Sequence, residues 1–403
     1  MRLRQSRLPF KSGDMAVNGK KTALLVFATL IAFAAGCGKS DWKDSSAIRI
    51  KLDVDSLLNG TSVSIDDIFQ EIQLVCLDSS DMISNSVYSG HNYYTFDGEY
   101  FYVLDEKSFT IHVFDSHGKF VHSSSKKGRG PGEFTMANKI CYNADLNTID
   151  VLNPIGKIYH FRTKTLEYVS TLDIKGKDLQ AIHDFVPTRS GYLLYSNTLD
   201  ERIWHYDSEN RIANPCGIRL PEYLSIYFYA QDRFYSMGES VQTFRAFDGK
   251  CFNLDSSLNV RTSLVWDFGK RSAQLKAIPE LPSAREYHGF LMDYSDNHVA
   301  AFNDIKCIDR TLIANVIYKR NLHTIVYNLA SNQAKMFLKT EEGLPLVCGL
   351  VYDNSMMLLV DSHMLPEFIS TEVLDEVSVR EYQKATSTGS MAIIRYGRSG
   401  VKP

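Results

Sequence analysis

Six times along the chain a strand-like run closes on one large side chain just ahead of a tight polar turn. These residues are Phe114 in HVFDSHGK, Phe161 in IYHFRTKT, Tyr206 in IWHYDSEN, Leu254 in CFNLDSSL, Tyr327 in TIVYNLASN and Tyr396 in AIIRYGRS. They stand 47, 45, 48, 73 and 69 positions apart. No helical stretch separates each strand from the next, which argues against a βαβ pattern and its parallel sheet. The first three intervals suit a four-stranded antiparallel sheet repeated about an axis, and the two longer ones require insertions. The expected architecture is all-β: a six-bladed β-propeller of four-stranded antiparallel blades, with a β-sandwich plus a second β-domain as its competitor.

Two segments fit the insertions. Pro282-Ser283 followed by AREYHGFLMDY carries a helix-start signal. Ser370–Ala385, with Ile369, Val373, Val377 and Tyr382 near helical spacing, supplies a second helix. Ahead of the body lie a strand-like Ile48–Val54 and a short helix around Ile65–Phe69. Ring closure pairs Ile72–Leu77, as the outer strand of the last blade, with pieces near Pro345–Val351, Met356–Val360 and Ala392–Tyr396. Joining the two ends of the chain in one blade removes two exposed sheet edges. Twenty-two Tyr and 22 Phe beside 11 Pro agree with a sheet-rich body.

The turns have their own chemistry. Asp115 and Ser116 can satisfy exposed backbone donors while Gly118 takes a positive φ, and Asp207–Asn210 and Asp255–Ser257 repeat that division of labour. Calcium ligation is the rival role for these aspartates, but no twelve-residue calcium loop is present, so no cofactor is expected and bound calcium lacks a specific motif.

The amino terminus speaks to location. Lys20 and Lys21 precede an apolar stretch, Ala23–Ala35, that is short for a membrane span and ends in AAGC, the pattern of a secretory signal with a lipoprotein cleavage box. Residues 1–36 are expected to be removed and Cys37 to carry the lipid, with Met15 as an alternative start. Residues 37–71 then form tether and lead-in, and 72–403 the propeller. The mature chain keeps 38 basic and 46 acidic side chains, a formal charge of −8, which speaks against nucleic acid as a partner. The membrane is instead a partner through lipidated Cys37, on the bacterial cell envelope and by preference its outer membrane.

Lys126–Phe134, KKGRGPGEF, together with the preceding IHVFDSHGKFV, resembles the six-bladed β-propeller lipoproteins of Bacteroides and related bacteria, themselves similar to NHL-repeat propellers. The resemblance runs from the cleavage box to the terminal SMAIIRYG, and departs from the family where Gly389-Ser390 replaces its usual Asn-Pro pair. It implies six blades around an axial channel, with binding surfaces at the channel mouths and no single shared reaction.

Signals for chemistry are sparser than signals for fold. In KKGRGPGEF the glycines let backbone amides approach a ligand, and Lys126, Lys127 and Arg129 can meet carboxylate or phosphate. The same loop also serves as a structural crossover between blades, with Glu133 pairing with Arg129 or receiving turn amides. His112, His160 and His205 recur near strand ends, where half-buried sheet positions with one hydrogen-bond partner account for them. Cys76, Cys141, Cys216, Cys251, Cys307 and Cys348 show no CxxC and read mostly as buried thiols. With no GxSxG elbow, HExxH or phosphate loop, a ligand-binding or protein-assembly scaffold for a glycan, peptide or envelope protein is expected. An extracytoplasmic hydrolase, lyase or lactonase is the alternative.

Overall fold

A computed structural model of the chain describes residues 47–60, 62–78, 83, 93–174, 179, 181–196, 203–218, 233–254 and 260–398. The signal segment, Cys37 and the Asp255–Ser257 turn lie outside the described residues. The chain divides between Ser45 and Ser46, and every described strand and helix belongs to the second unit, Ser46–Pro403.

The chain enters through β1 (Ile48–Lys51), helix α1 (Val54–Leu58), a 3-10 turn at Ile65–Asp67 and β2 (Glu71–Cys76). Blade 1 holds β3 (Tyr94–Phe96), β4 (Tyr100–Asp105), β5 (Thr110–Asp115) and β6 (Phe120–Ser125). Blade 2 holds β7 (Lys139–Asn143), β8 (Thr148–Asn153), β9 (Lys157–Arg162) and β10 (Tyr168–Asp173). Blade 3 holds β11 (Ile182–Thr188), β12 (Gly191–Ser196), β13 (Ile203–Asp207) and β14 (Ile212–Pro215). Blade 4 holds β15 (Phe234–Met237), β16 (Ser240–Phe244), β17 (Lys250–Leu254) and β18 (Val260–Asp267), and helix α2 (Ala284–Ser295) comes after it. Blade 5 holds β19 (Ala301–Ile308), β20 (Thr311–Tyr318), β21 (Asn321–Asn328) and β22 (Ala334–Phe337). Blade 6 begins with β23 (Leu350–Tyr352) and β24 (Ser355–Val360), passes through α3 (Leu365–Phe368) and α4 (Glu376–Thr388), and ends with β25 (Ala392–Gly397).

Each blade is an antiparallel meander, and the sixth is completed by β2, paired with β25 from Glu71–Gly397 to Cys76–Ala392. Both ends of the propeller chain are therefore held in one sheet, as the closure expectation required. The six strand-ending residues Phe114, Phe161, Tyr206, Leu254, Tyr327 and Tyr396 all fall on the third strand of their blade. Both expected insertions are helical. Ser283 caps α2 by accepting from the Glu286 amide, and Asp375 caps α4 through the Ser378 amide, as short polar side chains at N-caps do. Gly389 ends α4 in the left-handed region at φ 69°, where a Cβ is disfavoured.

The packing explains why the middle strands read as unbroken apolar runs. In β24, SMMLLV, Met356, Leu358 and Val360 face blade 5 while Met357 and Leu359 face blade 1. A strand covered on both faces has no side to leave polar. Six apolar cores fill the gaps between neighbouring blades all the way round, and a seventh seats α2 through Tyr287 and Leu291 against Phe247 and Ala300.

β1 falls within the expected strand-like Ile48–Val54, and its attachment is the part of the architecture that sequence patterning did not show. It adds to blade 4 as a fifth strand, parallel to β18, with Ile48 opposite Leu264 and Lys51 opposite Asp267. The lead-in is thus part of the ring's perimeter.

Candidate axial site

The first strand of every blade is its innermost, and the six together enclose an axial cavity of about 680 Å³. Thr95 and Phe96 of β3, Cys141 and Asn143 of β7, Val186 of β11, Ser236 of β15, Lys306 of β19 and Tyr352 of β23 all line it. The inner strands run the same way around the axis, so the hairpins that leave them gather at one mouth. There Asp145, Asp309, Arg310, Asp353 and Asn354 join the lining. Asp309, Arg310 and Asp353 hold φ of 40°, 60° and 52°, a conformation that Asp takes readily in hairpin turns and Arg rarely.

Deeper in, charge replaces turn chemistry. Lys139, Asp184, Arg233 and Asp304 each stand four residues before the end of the inner strand of blades 2, 3, 4 and 5. Read around the ring, their signs alternate. All four are nearly buried, between 2% and 9% exposed. Lys139 Nζ donates to Asp184 Oδ1 at 2.6 Å, while the other carboxylate oxygen accepts the Arg233 main-chain amide at 2.7 Å. The Arg233 guanidinium lies over the Tyr195 and Phe244 rings, 4.9 and 5.8 Å from their centroids. In blade 5 Lys306 Nζ lies 3.3 Å from Asp304 Oδ1, which also accepts the Ile305 amide at 2.7 Å.

Asp184 and Asp304 share a local cause for their placement. Each comes after a register shift in its inner strand, between Ile182 and Asp184 and between Phe302 and Asp304. A bulge re-aims one side chain without breaking the ladder. His183 sits beside this belt, and burial, reinforced by the Arg233 charge, lowers its pKa and keeps the ring neutral at pH 7. Two cysteines line the cavity, Cys141 and Cys307. Burial pushes the Cys307 thiol up to about 11, away from a nucleophilic thiolate.

One further polar network borders the cavity at Asn143. Fully buried Asp150 accepts from Thr148 Oγ1 at 2.7 Å, Asn143 Nδ2 at 2.9 Å and the Tyr192 hydroxyl at 2.8 Å, with His160 Nδ1 at 2.8 Å. Because Tyr192 belongs to blade 3 and the rest to blade 2, this network ties two blades together.

The sequence candidates fall elsewhere. Lys126 is nearly buried, donates Nζ to the Leu166 carbonyl at 2.8 Å and lies 4.5 Å over the Phe161 ring. Its pKa is lowered by that burial. Lys127 and Arg129 are exposed. Glu133 accepts the Gly130 amide at 2.8 Å, and Phe134 plugs the core between blades 1 and 2, so the loop is a built crossover. None of Lys126, Lys127 and Arg129 lines the axial cavity. His112, His160 and His205 lie on the third strands β5, β9 and β13, away from the channel. His160 meets Asp150, His205 Nε2 meets Ser190 at 3.0 Å, and neither ring nitrogen of His112 has a hydrogen-bond partner. The six described cysteines are free thiols, three of them buried. Among the described residues no group of three or more His, Cys, Asp or Glu is placed to hold a metal ion.

Lys139, Asp184, Arg233, Asp304 and Lys306 escaped sequence reasoning. The signal available was a charge interrupting an apolar run at a fixed distance before a turn, as in KICYN and FNDIKCI.

Solved structures share this ring. The "putative exported protein" of Bacteroides fragilis NCTC 9343 superposes with a TM-score of 0.64 at 14% identity, covering 88% of this chain and 100% of that one. A member of the DUF4221 family from Bacteroides vulgatus gives 0.52 at 11% identity, covering 81% of this chain and 96% of that one. At such identities the likeness concerns the fold alone, which these Bacteroides proteins have in common with this chain. No curated protein matches the chain. Residues 47–386 match the family model described as a domain of unknown function, DUF4934, and the chain belongs to that family.

Proposed function

We propose that this protein is a lipid-anchored binding protein of the bacterial cell envelope whose ligand seats in the axial cavity. The carrying observation is the cavity itself. About 680 Å³ falls inside the range of small-molecule sites, and all six inner strands supply its wall. Its lining mixes apolar and aromatic side chains with a few polar ones, the composition that orients a ligand. Supporting the location are the apolar segment that runs into AAGC, whose cysteine is Cys37, and the fold shared with a Bacteroides protein described as exported. Exposed Lys127 and Arg129 on the blade 1–2 crossover are proposed as a second contact, for an anionic group on a partner.

The purified full chain, screened by ligand-observed NMR against short glycans and peptides, tests this. Ser236 is exposed on β15 and lines the cavity. Ser236→Trp is expected to abolish binding with the fold intact by circular dichroism; unchanged binding rejects the axial site. Turnover of any bound compound, lost in the same variant, would replace the binding role with a catalytic one. For the anchor, intact-mass analysis of membrane-extracted protein is expected to show a lipid on Cys37, and a mature chain without one rejects it.

A further inference from the structure

From the chemistry of the cavity's mouth we infer that the ligand is a neutral sugar, a pyranose seated against the Tyr142 and Tyr352 rings with its hydroxyls toward the Asp309-Arg310 hairpin. This inference rests on the axial cavity being the binding site. Of the aromatic residues in its lining, Phe96, Phe185, Phe234 and Tyr235 are buried, whereas Tyr142 and Tyr352 are half-buried. These two stand at the mouth ends of β7 and β23, in the blades that flank blade 1. Phe96 of blade 1 meets the Tyr352 ring edge-on, with centroids 5.1 Å apart, and Thr95 Oγ1 accepts the Tyr142 amide at 3.0 Å.

What the two tyrosines have left to offer is narrow. The Tyr142 hydroxyl donates to Asn147 Oδ1 at 3.3 Å, and the Tyr352 hydroxyl donates to the Asp97 carbonyl at 3.2 Å. A phenol has one hydrogen to give, so both are spent on the protein and hold the rings in place. Ring surface, which is apolar, is what remains for a ligand.

Blade 5 lies opposite blade 2 in the ring, and its inner hairpin supplies Asp309 and Arg310 to the lining. Both are exposed, and neither side chain makes a hydrogen bond or ion pair among the described residues. An ionised carboxylate only accepts and a guanidinium only donates, so the two as neighbours suit a group that does both. A sugar hydroxyl does both on one oxygen. A carboxylate on the ligand would serve Arg310 alone and an ammonium Asp309 alone, while a peptide unit divides donor and acceptor between atoms that point apart. A pyranose also carries C–H groups on its faces and hydroxyls round its rim, which matches apolar rings and a polar hairpin about one mouth.

Isothermal titration and saturation-transfer NMR on the full chain test the inference. Maltotriose, cellotriose and mannotriose are the neutral probes, the glucosamine trimer and trigalacturonate are charged counterparts of equal length, and trialanine is the peptide. At least one neutral trisaccharide is expected to bind saturably and about tenfold or more tighter than either charged trimer or the peptide. Tyr142→Ala should weaken that binding about tenfold, and Tyr142→Phe, which keeps the ring, should recover most of the loss, separating ring contact from the hydroxyl's bond to Asn147. Asp309→Asn, which suits the same backbone, should weaken it about fivefold, with circular dichroism unchanged in all three variants. A charged trimer or the peptide binding tighter, and lost in Ser236→Trp, overturns the neutral sugar and keeps the cavity. Sugar binding that survives Ser236→Trp overturns both. The absence of saturable binding by all three neutral trisaccharides overturns the sugar, and wild-type sugar affinity in both Tyr142→Ala and Asp309→Asn overturns its seat.

Discussion

Blades 1 to 3 and blades 4 to 6 treat their outer edges differently. In the first half no added element among the described residues covers the outer strands β6, β10 and β14, which hold one buried position between them. They tolerate this because of what they are made of. β6 ends in three serines, and β14 ends in Pro215, which cannot offer a ladder donor. In the second half the fourth strand of each blade carries an added element. β1 pairs with β18, α1 packs against β22, and α4 packs against β2. The cover is chemical as well as steric: Ser378 Oγ accepts the Leu74 amide at 3.1 Å and Glu381 Oε2 accepts the Cys76 amide at 3.2 Å.

The difference comes from where the chain starts and stops. The ring is closed in blade 6 by strands from both ends, and the added elements lie on that blade and on the two that precede it in the chain. The lead-in is strapped down beside it. Ser64 Oγ donates to Glu342 Oε1 at 2.6 Å, the Val63 carbonyl accepts the Glu341 amide at 2.9 Å, and Lys335 meets Asp67 at 2.7 Å.

The largest effect that can break this contrast is loss of β25. A chain ending at Ser390 leaves β24 and β2 without the strand between them, so both the sheet and the ring open. No cooperative thermal transition is expected from it by circular dichroism. A truncated chain that melts like the full one would show that closure is not what holds the ring.

Next comes the lead-in. Ile50 is fully buried in the core between blades 4 and 5, whereas Ile48 on the same strand is 46% exposed. Ile50→Ala is expected to cost about 2–5 kcal/mol, and Ile48→Ala to stay within about 0.5 kcal/mol. Equal urea midpoints for the two variants would mean that β1 decorates the rim without stabilising it.

Much of this architecture was legible in the sequence because propeller blades repeat a local pattern. Phe114, Phe161, Tyr206, Leu254, Tyr327 and Tyr396 mark third strands, where a strand buried on both faces meets a polar turn. The hairpins and helix caps were readable for the same reason: Asp115 Oδ1 does accept the His117 and Lys119 amides, each at 3.0 Å, and Gly118 has φ 81°. The features that could not be read depend on partners far away in sequence. Ile50 pairs with Trp266 of the fourth blade, far along the chain, and nothing local announces a parallel pairing. Lys139 and Asp184 are 45 residues apart and join only because equivalent positions of neighbouring blades converge on the axis. KKGRGPGEF stood out for its glycines and charges, yet its most buried charge, Lys126, is spent on the Leu166 carbonyl.

A smaller effect probes the helix that guards β2. Ser378→Ala removes the acceptor from a buried Leu74 amide and should cost about 1–3 kcal/mol. Hydrogen exchange is expected to accelerate at Leu74 and not at the open β10 edge. Unchanged protection would reject Ser378 as the edge's cap.

The smallest effect, and the one that depends on pH, is at Asp55, where α1 is fastened to blade 5. Its carboxylate accepts the Tyr318 hydroxyl at 2.6 Å and Arg271 Nε at 2.9 Å. The Tyr318 hydrogen bond, opposed by burial and helped by Arg271, holds its pKa below the ordinary 3.8. A carboxyl with a lowered native pKa binds protons more readily in the unfolded chain, so its contribution is complete above 3.8 and disappears as pH falls through the native value. The side chain is 31% exposed, and the net effect at neutral pH is expected to be less than about 1 kcal/mol. Asp55→Asn should therefore lower the urea midpoint slightly at pH 7 and converge on wild type near pH 3. Tyr318→Phe should raise the Asp55 pKa and move the onset of that convergence to higher pH. A difference between Asp55→Asn and wild type that persists unchanged at pH 3 would place the effect in packing, leaving α1 held to blade 5 by shape rather than by charge.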